Sequence, residues 1–309
     1  MLCTGVVHCE YQNEPKRGKE TVFTLERETV LQRLNGLPQY QIPENAHFIT
    51  VMCDINQIGI HFCAVAFDNN MSASIIHYGK YPAENNVYLW RADDTKGLSE
   101  AQAIYKGILE VSKLFSTPRF SKADRKPLKQ NIILIDCGYM TDTVFLAVNS
   151  LKNQMNISCS RGRASKAYRQ SKTIGRPGDN WHITEWPGKG RVLIHNSDYW
   201  RAHAQQAFLL PSGAPGSCSL YGADPRPHLK IASHITAERL EELVHGDTCD
   251  FYNWSRIPGE SNDLLDCLVG CFVGASGLGL NISGGEQSWR QRKAIPRETR
   301  KPKVPMSEE

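Results

Sequence analysis

Three strand-like segments between residues 48 and 81 constrain this chain more than any other feature. Phe48-Ile49-Thr50-Val51-Met52-Cys53 is an apolar run that closes on Asp54. After a turn at Asn56 to Gly59 comes a second run, Ile60 to Phe67. Asp68 to Asn70 turns the chain again into a third, Ser74 to Tyr81. Turns this short join antiparallel neighbours, so the segment reads as a meander. The period then changes. Ala101, Ile104, Tyr105, Ile108, Leu109, Val111 and Leu114 fall largely on one helical stripe, with Ser99 and Gln102 set as a capping box. Asn131 to Ile135 is a short buried strand ending on Asp136, and Thr141 or Asp142 caps a helix running to about Asn149. The expected class is α/β, a mixed sheet flanked by helices.

On either side of this core the pattern is less regular. Residues 1–47 read as a linker-like segment: a strand at Leu2 to Cys9, a polar run Tyr11 to Lys19, and a helix capped by Thr24 that Gly36 and Pro38 halt after Leu34. Between 157 and 260 the expected elements are a basic loop, a strand Arg191 to Asn196 and a helix Ser197 to Ala207. A strand Leu229 to Ser233 and a helix Thr236 to Val244 follow. Asn262 to Ser276 is apolar on most sides, as a buried helix would be. Residues 48–282 are expected to form one domain, and 283–309 a basic, disordered tail.

The formal net charge of +4 is mild, but its distribution is not. Arg161, Arg163, Lys166, Arg169, Lys172 and Arg176 share one stretch, and seven further Lys or Arg from Arg290 to Lys303 crowd the C-terminus. Such clusters neutralise phosphates or form a solvated surface. The ten cysteines include no CxxC pair and no zinc-type spacing, so Cys53, Cys63, Cys137, Cys267 and Cys271 read as small core residues in a reduced, cytoplasmic setting. No apolar run reaches the roughly 20 residues of a membrane helix.

Four carboxylates carry the chemical argument. Asp54 and Asp136 end buried strands; Asp263 and Asp266 begin the last buried helix. Each alone is explained by strand ends meeting water and by helix starts favouring Asp. Together, the order meander, helix, strand, late helix is that of a ribonuclease-H-like fold, in which such acids converge at one edge. Clustered carboxylates repel one another and call for hard divalent cations, Mg²⁺ or Mn²⁺. Two ions about 4 Å apart activate a water and stabilise the leaving oxygen in phosphodiester hydrolysis. His61 reads as a strand-face residue, and Asp142 as a helix cap.

Several segments, in order, resemble the nuclease domain of the large terminase subunit of tailed bacteriophages, in the lambda-like family. These are Cys9-Glu10-Tyr11-Gln12-Asn13-Glu14-Pro15, Leu34-Asn35-Gly36-Leu37-Pro38 and Val51-Met52-Cys53-Asp54-Ile55-Asn56-Gln57. Asp136-Cys137-Gly138-Tyr139-Met140-Thr141-Asp142, Arg161-Gly162-Arg163, Ile235 to Leu240 and Asn262-Asp263-Leu264-Leu265-Asp266-Cys267 complete the set. The resemblance covers roughly residues 9–280 and implies a metal-dependent endonuclease that cuts concatemeric double-stranded DNA during genome packaging. It implies as ligands Asp54, Asp136 and either Asp263 or Asp266. The family commonly has Glu where this chain has Asp263, while Asp266 matches directly. Asp263, taken as nearer the exposed helix start, is the favoured third ligand. Arg161, Arg163 and Lys166 are candidate DNA contacts. The implied partners are the terminase ATPase domain, the small terminase subunit and the portal, in the host cytoplasm. The chain lacks the phosphate-binding loop of an ATPase, so no motor activity is expected. Two other readings stay open: a non-cleaving DNA-binding or motor-docking module, and another ribonuclease-H-like nuclease such as a resolvase.

Overall fold

The computed structural model describes residues 23–82, 97–116, 120–124, 127–170, 178–244 and 251–281. A short helix α1 (Arg27–Leu31) leads into the meander β1 (Phe48–Asn56), β2 (Gly59–Phe67) and β3 (Ala73–Tyr81). Helix α2 (Glu100–Ser116) and a small ribbon, β4 (Phe120–Ser121) with β5 (Pro127–Leu128), precede β6 (Ile132–Asp136). Then come α3 (Thr141–Leu151), β7 (Ile157–Arg163), β8 (Trp181–Trp186), β9 (Gly190–Asn196) and α4 (Ser197–Leu209). The chain continues through β10 (Cys218–Leu220), a 3₁₀ turn (Arg226–His228), α5 (Leu229–Ile235) and the ribbon β11 (Glu238–Val244) with β12 (Phe251–Arg256). Helix α6 (Asp263–Gly277) follows.

Eight strands form one mixed sheet in the order β10-β3-β2-β1-β6-β7-β9-β8. The meander is antiparallel, while β1, β6, β7 and β9 run parallel. The central order β3-β2-β1-β6-β7 is ribonuclease-H-like. Parallel neighbours place the ends of β1, β6 and β7 on one edge, and with them Asp54, Asp136 and Arg161 to Arg163.

Strand alternation sorts the core into two layers. Val51, Cys53, Ile55, Phe62, Ile133 and Ile135 pack under α2 and α3. Met52, Cys63, Val65, Phe67 and Leu134 pack under α4, α5 and α6. Asp54 shares the parity of Met52, His61 that of Cys63, and Asp136 that of Leu134. The same alternation therefore turns all three polar side chains toward α6.

Helix α6 lies unusually close to β1. A Cβ at Gly270 would stand 2.3 Å from Met52 Cγ, so only glycine allows this approach. Thr50 Oγ1 donates to the Cys271 carbonyl oxygen at 3.0 Å, and Phe272 meets Phe67 edge-on at 5.2 Å. Leu264, Leu265, Leu268 and Val273 are buried, each contributing about 1.5–3 kcal/mol of apolar transfer. That burial fixes where the helix begins, and hence where Asp263 and Asp266 lie.

Several sequence expectations need correction. The expected strand over Leu229–Ser233 is helix α5, and the expected helix over Thr236–Val244 is strand β11. Ala, Glu, Arg and Leu favour a helix there, but pairing with β12 and the buried Glu238 and Leu240 override local propensity. The first helix spans only Arg27–Leu31, with Glu26 rather than Thr24 before it. Helix α3 is preceded by Met140 in the left-handed region, φ 46°; Thr141 Oγ1 instead donates to the Cys137 carbonyl oxygen, and Asp142 pairs with Lys189 at the surface. Arg161-Gly162-Arg163 belongs to β7 rather than to a loop. The Ser99–Gln102 capping box forms as expected, and so does the strand ending at Asn196. The expected strand at Leu2–Cys9, the C-terminal basic cluster, Lys172 and Arg176 lie outside the described residues.

Candidate metal centre

Asp54 sits near the end of β1, directly across from His61 on β2. The start of α6 closes over this pair. One ligand atom from each of Asp54, His61 and Asp263 lies within 4.8 Å of the others. Among the described residues they are the one His, Cys, Asp or Glu group that meets this distance. Asn56 holds the arrangement. Its Nδ2 donates to Asp263 Oδ1 at 2.8 Å, and its side chain also hydrogen-bonds Asp54.

The two neighbouring histidines differ. His234 Nδ1 accepts the Leu264 N–H at 3.2 Å, which ties α5 to the first turn of α6. His61 is 2% exposed, its Nδ1 has no hydrogen-bond partner, and its Nε2 stands 3.7 Å from Asp263 Oδ2. Burial, partly offset by Asp263, lowers the His61 pKa to about 4, so the ring is neutral near pH 7.

Asp136 and Asp266 lie outside that tight group but share its electrostatic field. Burial pushes the Asp54 carboxyl well above the usual carboxylate range, and the charges of Asp136, Asp266 and Asp263 add to it. Burial raises Asp136 to about 6; the Gly138 N–H, donating to Oδ2 at 2.7 Å, opposes this, Asp266 adds to it, and Arg161 opposes it. Asp266 is held from the other side. Arg201 on α4 reaches its Oδ1 at 3.2 Å, Glu238 at 2.9 Å and Asp198 at 3.3 Å, and Asn262 donates to Asp266 Oδ2 at 3.0 Å. With 36% of its side chain exposed against 15% for Asp263, Asp266 is the more open of the two helix acids. This reverses the order assumed from their places in the helix, because α5 and β2 cover the first turn of α6.

Hard oxygen donors crowded at one edge, with Asp136, Asp266 and Asp263 all raising the proton affinity of Asp54, fit a divalent cation. The sequence matches the family model described as terminase large subunit gpA, endonuclease domain, over residues 13–289. The chain belongs to this family. Among solved structures, one similar chain is a point mutant of the nuclease domain of the large terminase subunit gp2 of bacterial virus Sf6 with manganese. It is 9% identical, with 80% of this chain and 97% of that chain covered and a TM-score of 0.43. A second structure of that mutant domain, with manganese and beta-thujaplicinol, is 7% identical, with 74% and 89% covered and a TM-score of 0.40. No curated protein matches the sequence.

Within this terminase-type domain, Arg161 lies over Trp186, 5.9 Å from the ring centroid, and close enough to influence Asp136. Arg163, the last residue of β7, and Lys166, just beyond it, are exposed on the edge that carries the acids. Sequence reasoning named all four aspartates but gave His61 no role and did not single out Arg201 or Glu238. The signal for His61 was present: the turn after β1 pairs residue 54 with residue 61. Among the described residues no helix is long and apolar enough to cross a membrane.

Proposed function

We propose that the chain is a metal-dependent endonuclease that cuts double-stranded DNA for genome packaging. The supporting observation is the convergence of Asp54, Asp136, Asp263 and Asp266, from β1, β6 and α6, at one sheet edge. Divalent ions, Mg²⁺ or Mn²⁺ and two in number, would activate a water and stabilise the leaving oxygen of the phosphodiester. Asp54 and Asp263 would hold one ion. Asp54 and Asp136 would hold the other, with Asp266 turned toward it by Arg201 and scissile phosphate oxygens completing its shell. Third-ligand duty is thus divided between the two helix acids rather than assigned to one.

Arg163 and Lys166 would bind backbone phosphates beside the acids, with Arg161 balancing charge near Asp136. The nuclease unit would extend from residue 23 rather than 48, because Leu25, Val30 and Ile42 are core residues; 283–309 would be an appended basic tail. Its setting would be the host cytoplasm, with the terminase ATPase domain, the small terminase subunit and the portal as partners and concatemeric viral DNA as substrate.

The test is nicking and linearisation of supercoiled plasmid with Mn²⁺ or Mg²⁺ by wild type, Asp54→Asn and Asp136→Asn. Cleavage by wild type alone is expected. If wild type binds DNA but cuts none with any divalent ion, the chain is a docking or DNA-binding module instead. Linear, branched and RNA–DNA hybrid substrates, run in parallel, distinguish a packaging nuclease from a resolvase or ribonuclease.

A further inference from the structure

We propose that His61 supplies a nitrogen ligand to the cation held by Asp54 and Asp263, making a mixed nitrogen–oxygen site that prefers Mn²⁺ to Mg²⁺. The inference rests on the metal-centre reading above and adds to it a ligand that the acid pattern alone does not contain.

Three observations carry it. First, His61 is preassembled with the acids. It faces Asp54 across the β1–β2 ladder on the side of the sheet that α6 covers, and one of its ring nitrogens belongs to the tight group with Asp54 and Asp263. Second, the ring is buried without a hydrogen bond among the described residues. Nδ1 has no partner, and Nε2 is 3.7 Å from the Asp263 carboxylate, beyond hydrogen-bond reach. Two ligands of one octahedral ion with bonds of about 2.1 Å are about 3 Å apart when adjacent and about 4 Å apart when opposite; 3.7 Å lies between these limits, so a shared ion can bridge the pair after a shift of a few tenths of an ångström. Third, the other imidazole at Asp263 is already committed. His234 Nδ1 is 3.9 Å from Asp263 Oδ2, but it accepts the Leu264 N–H and so spends its lone pair on the backbone.

The choice of metal follows from ligand chemistry. Mg²⁺ is held by oxygen, whereas imidazole suits first-row transition ions. Replacing one oxygen ligand by nitrogen therefore favours Mn²⁺ over Mg²⁺, and Co²⁺ over both.

The experiment uses the full chain without DNA. Calorimetric titrations with Mn²⁺ and with Mg²⁺ are paired with pulsed electron paramagnetic resonance of the Mn²⁺-bound protein, which reads directly bonded nitrogen. Wild type, His61→Asn, His61→Gln and His234→Asn are compared, with circular dichroism to report folding. The expected result is a nitrogen coupling in wild type and His234→Asn that is absent in both His61 variants. The Mn²⁺-to-Mg²⁺ affinity ratio should fall by about tenfold in those variants. If neither His61 variant folds, His195→Asn joins the comparison, because His195 lies beside Ser160 and Arg201 on the Asp136 side. A coupling kept in wild type, His234→Asn and His195→Asn then leaves His61 as its source among the buried imidazoles of the described residues, and a coupling lost in His195→Asn overturns the proposal. Mn²⁺ bound to wild type without nitrogen coupling, or coupling that survives His61→Asn or vanishes in His234→Asn, overturns the proposal while leaving an acid-bound metal centre standing. Failure of wild type to bind either ion overturns both.

Discussion

Asp263 and Asp266 lie less than one helical turn apart on α6, yet they live in opposite surroundings. Asp263 faces Asp54, His61 and the amide of Asn56, with no Lys or Arg ion pair among the described residues. Asp266 faces Arg201, which also holds Glu238 and Asp198. One carboxylate is balanced by a guanidinium built into the fold; the other is set against a second carboxylate. In the proposed site a cation would supply the charge that Asp263 lacks, whereas Asp266 is already oriented by Arg201.

The largest expected break in this contrast comes from the acid that serves both sides. Asp54→Asn should lower plasmid cleavage by about a thousandfold or more, measured as the initial nicking rate at saturating Mn²⁺. Asp263→Asn should abolish Mn²⁺ binding in the absence of DNA. Asp266→Asn should leave that binding nearly intact and slow cleavage by about 10- to 100-fold. Equal loss of binding in both variants would erase the distinction.

Next in size is the guanidinium. Arg201→Ala leaves Asp198, Glu238 and Asp266 without their shared counter-charge, and should cost about 3–5 kcal/mol in urea unfolding. Combining it with Asp266→Asn should cost less than the sum of the two, since one stranded charge is then gone. Strict additivity would mean that Arg201 does not act through Asp266.

Asp136 gives a smaller effect with a definite sign. Its folded pKa, about 6, lies above the ordinary 3.8, so the folded state holds the proton more tightly. The resulting penalty is fully present above about pH 6 and disappears as pH falls below 3.8. Asp136→Asn should therefore raise metal-free stability by about 1–3 kcal/mol at pH 7.5 and change it little at pH 3.5, read by denaturant titration at both values. A large loss of stability at pH 7.5 would make Asp136 a structural residue. An effect of similar size but opposite sign is expected from Gly270→Ala, which pushes α6 off Met52 and should cost about 1–3 kcal/mol. Because α6 carries both helix acids against β1, its Mn²⁺ affinity should fall as well.

Much of this arrangement was legible in the sequence. Apolar runs that close on Asp54 and Asp136 gave strands ending at one edge, and the fully apolar stretch after Asn262 gave the buried helix. What could not be read locally depends on contacts across the chain. Thr236 to Val244 has helical composition, and only pairing with Phe251–Arg256 makes it a strand. Arg201 sits on a helix that was expected, but three acids from α4, β11 and α6 define its role. His61 occupies the middle ground. Strand parity and the tight β1–β2 turn place it opposite Asp54, so its position was derivable. Its burial and its approach to Asp263 follow only from how α5 and α6 cover the sheet.

The central claim, that this acid cluster holds the catalytic cation, is tested most directly by crystals soaked in Mn²⁺ and measured at the manganese absorption edge. The account predicts an anomalous peak within about 2.3 Å of carboxylate oxygens of both Asp54 and Asp263, and none on the Arg201 side of Asp266. Peaks only at surface carboxylates, or none at all at millimolar Mn²⁺, would contradict it.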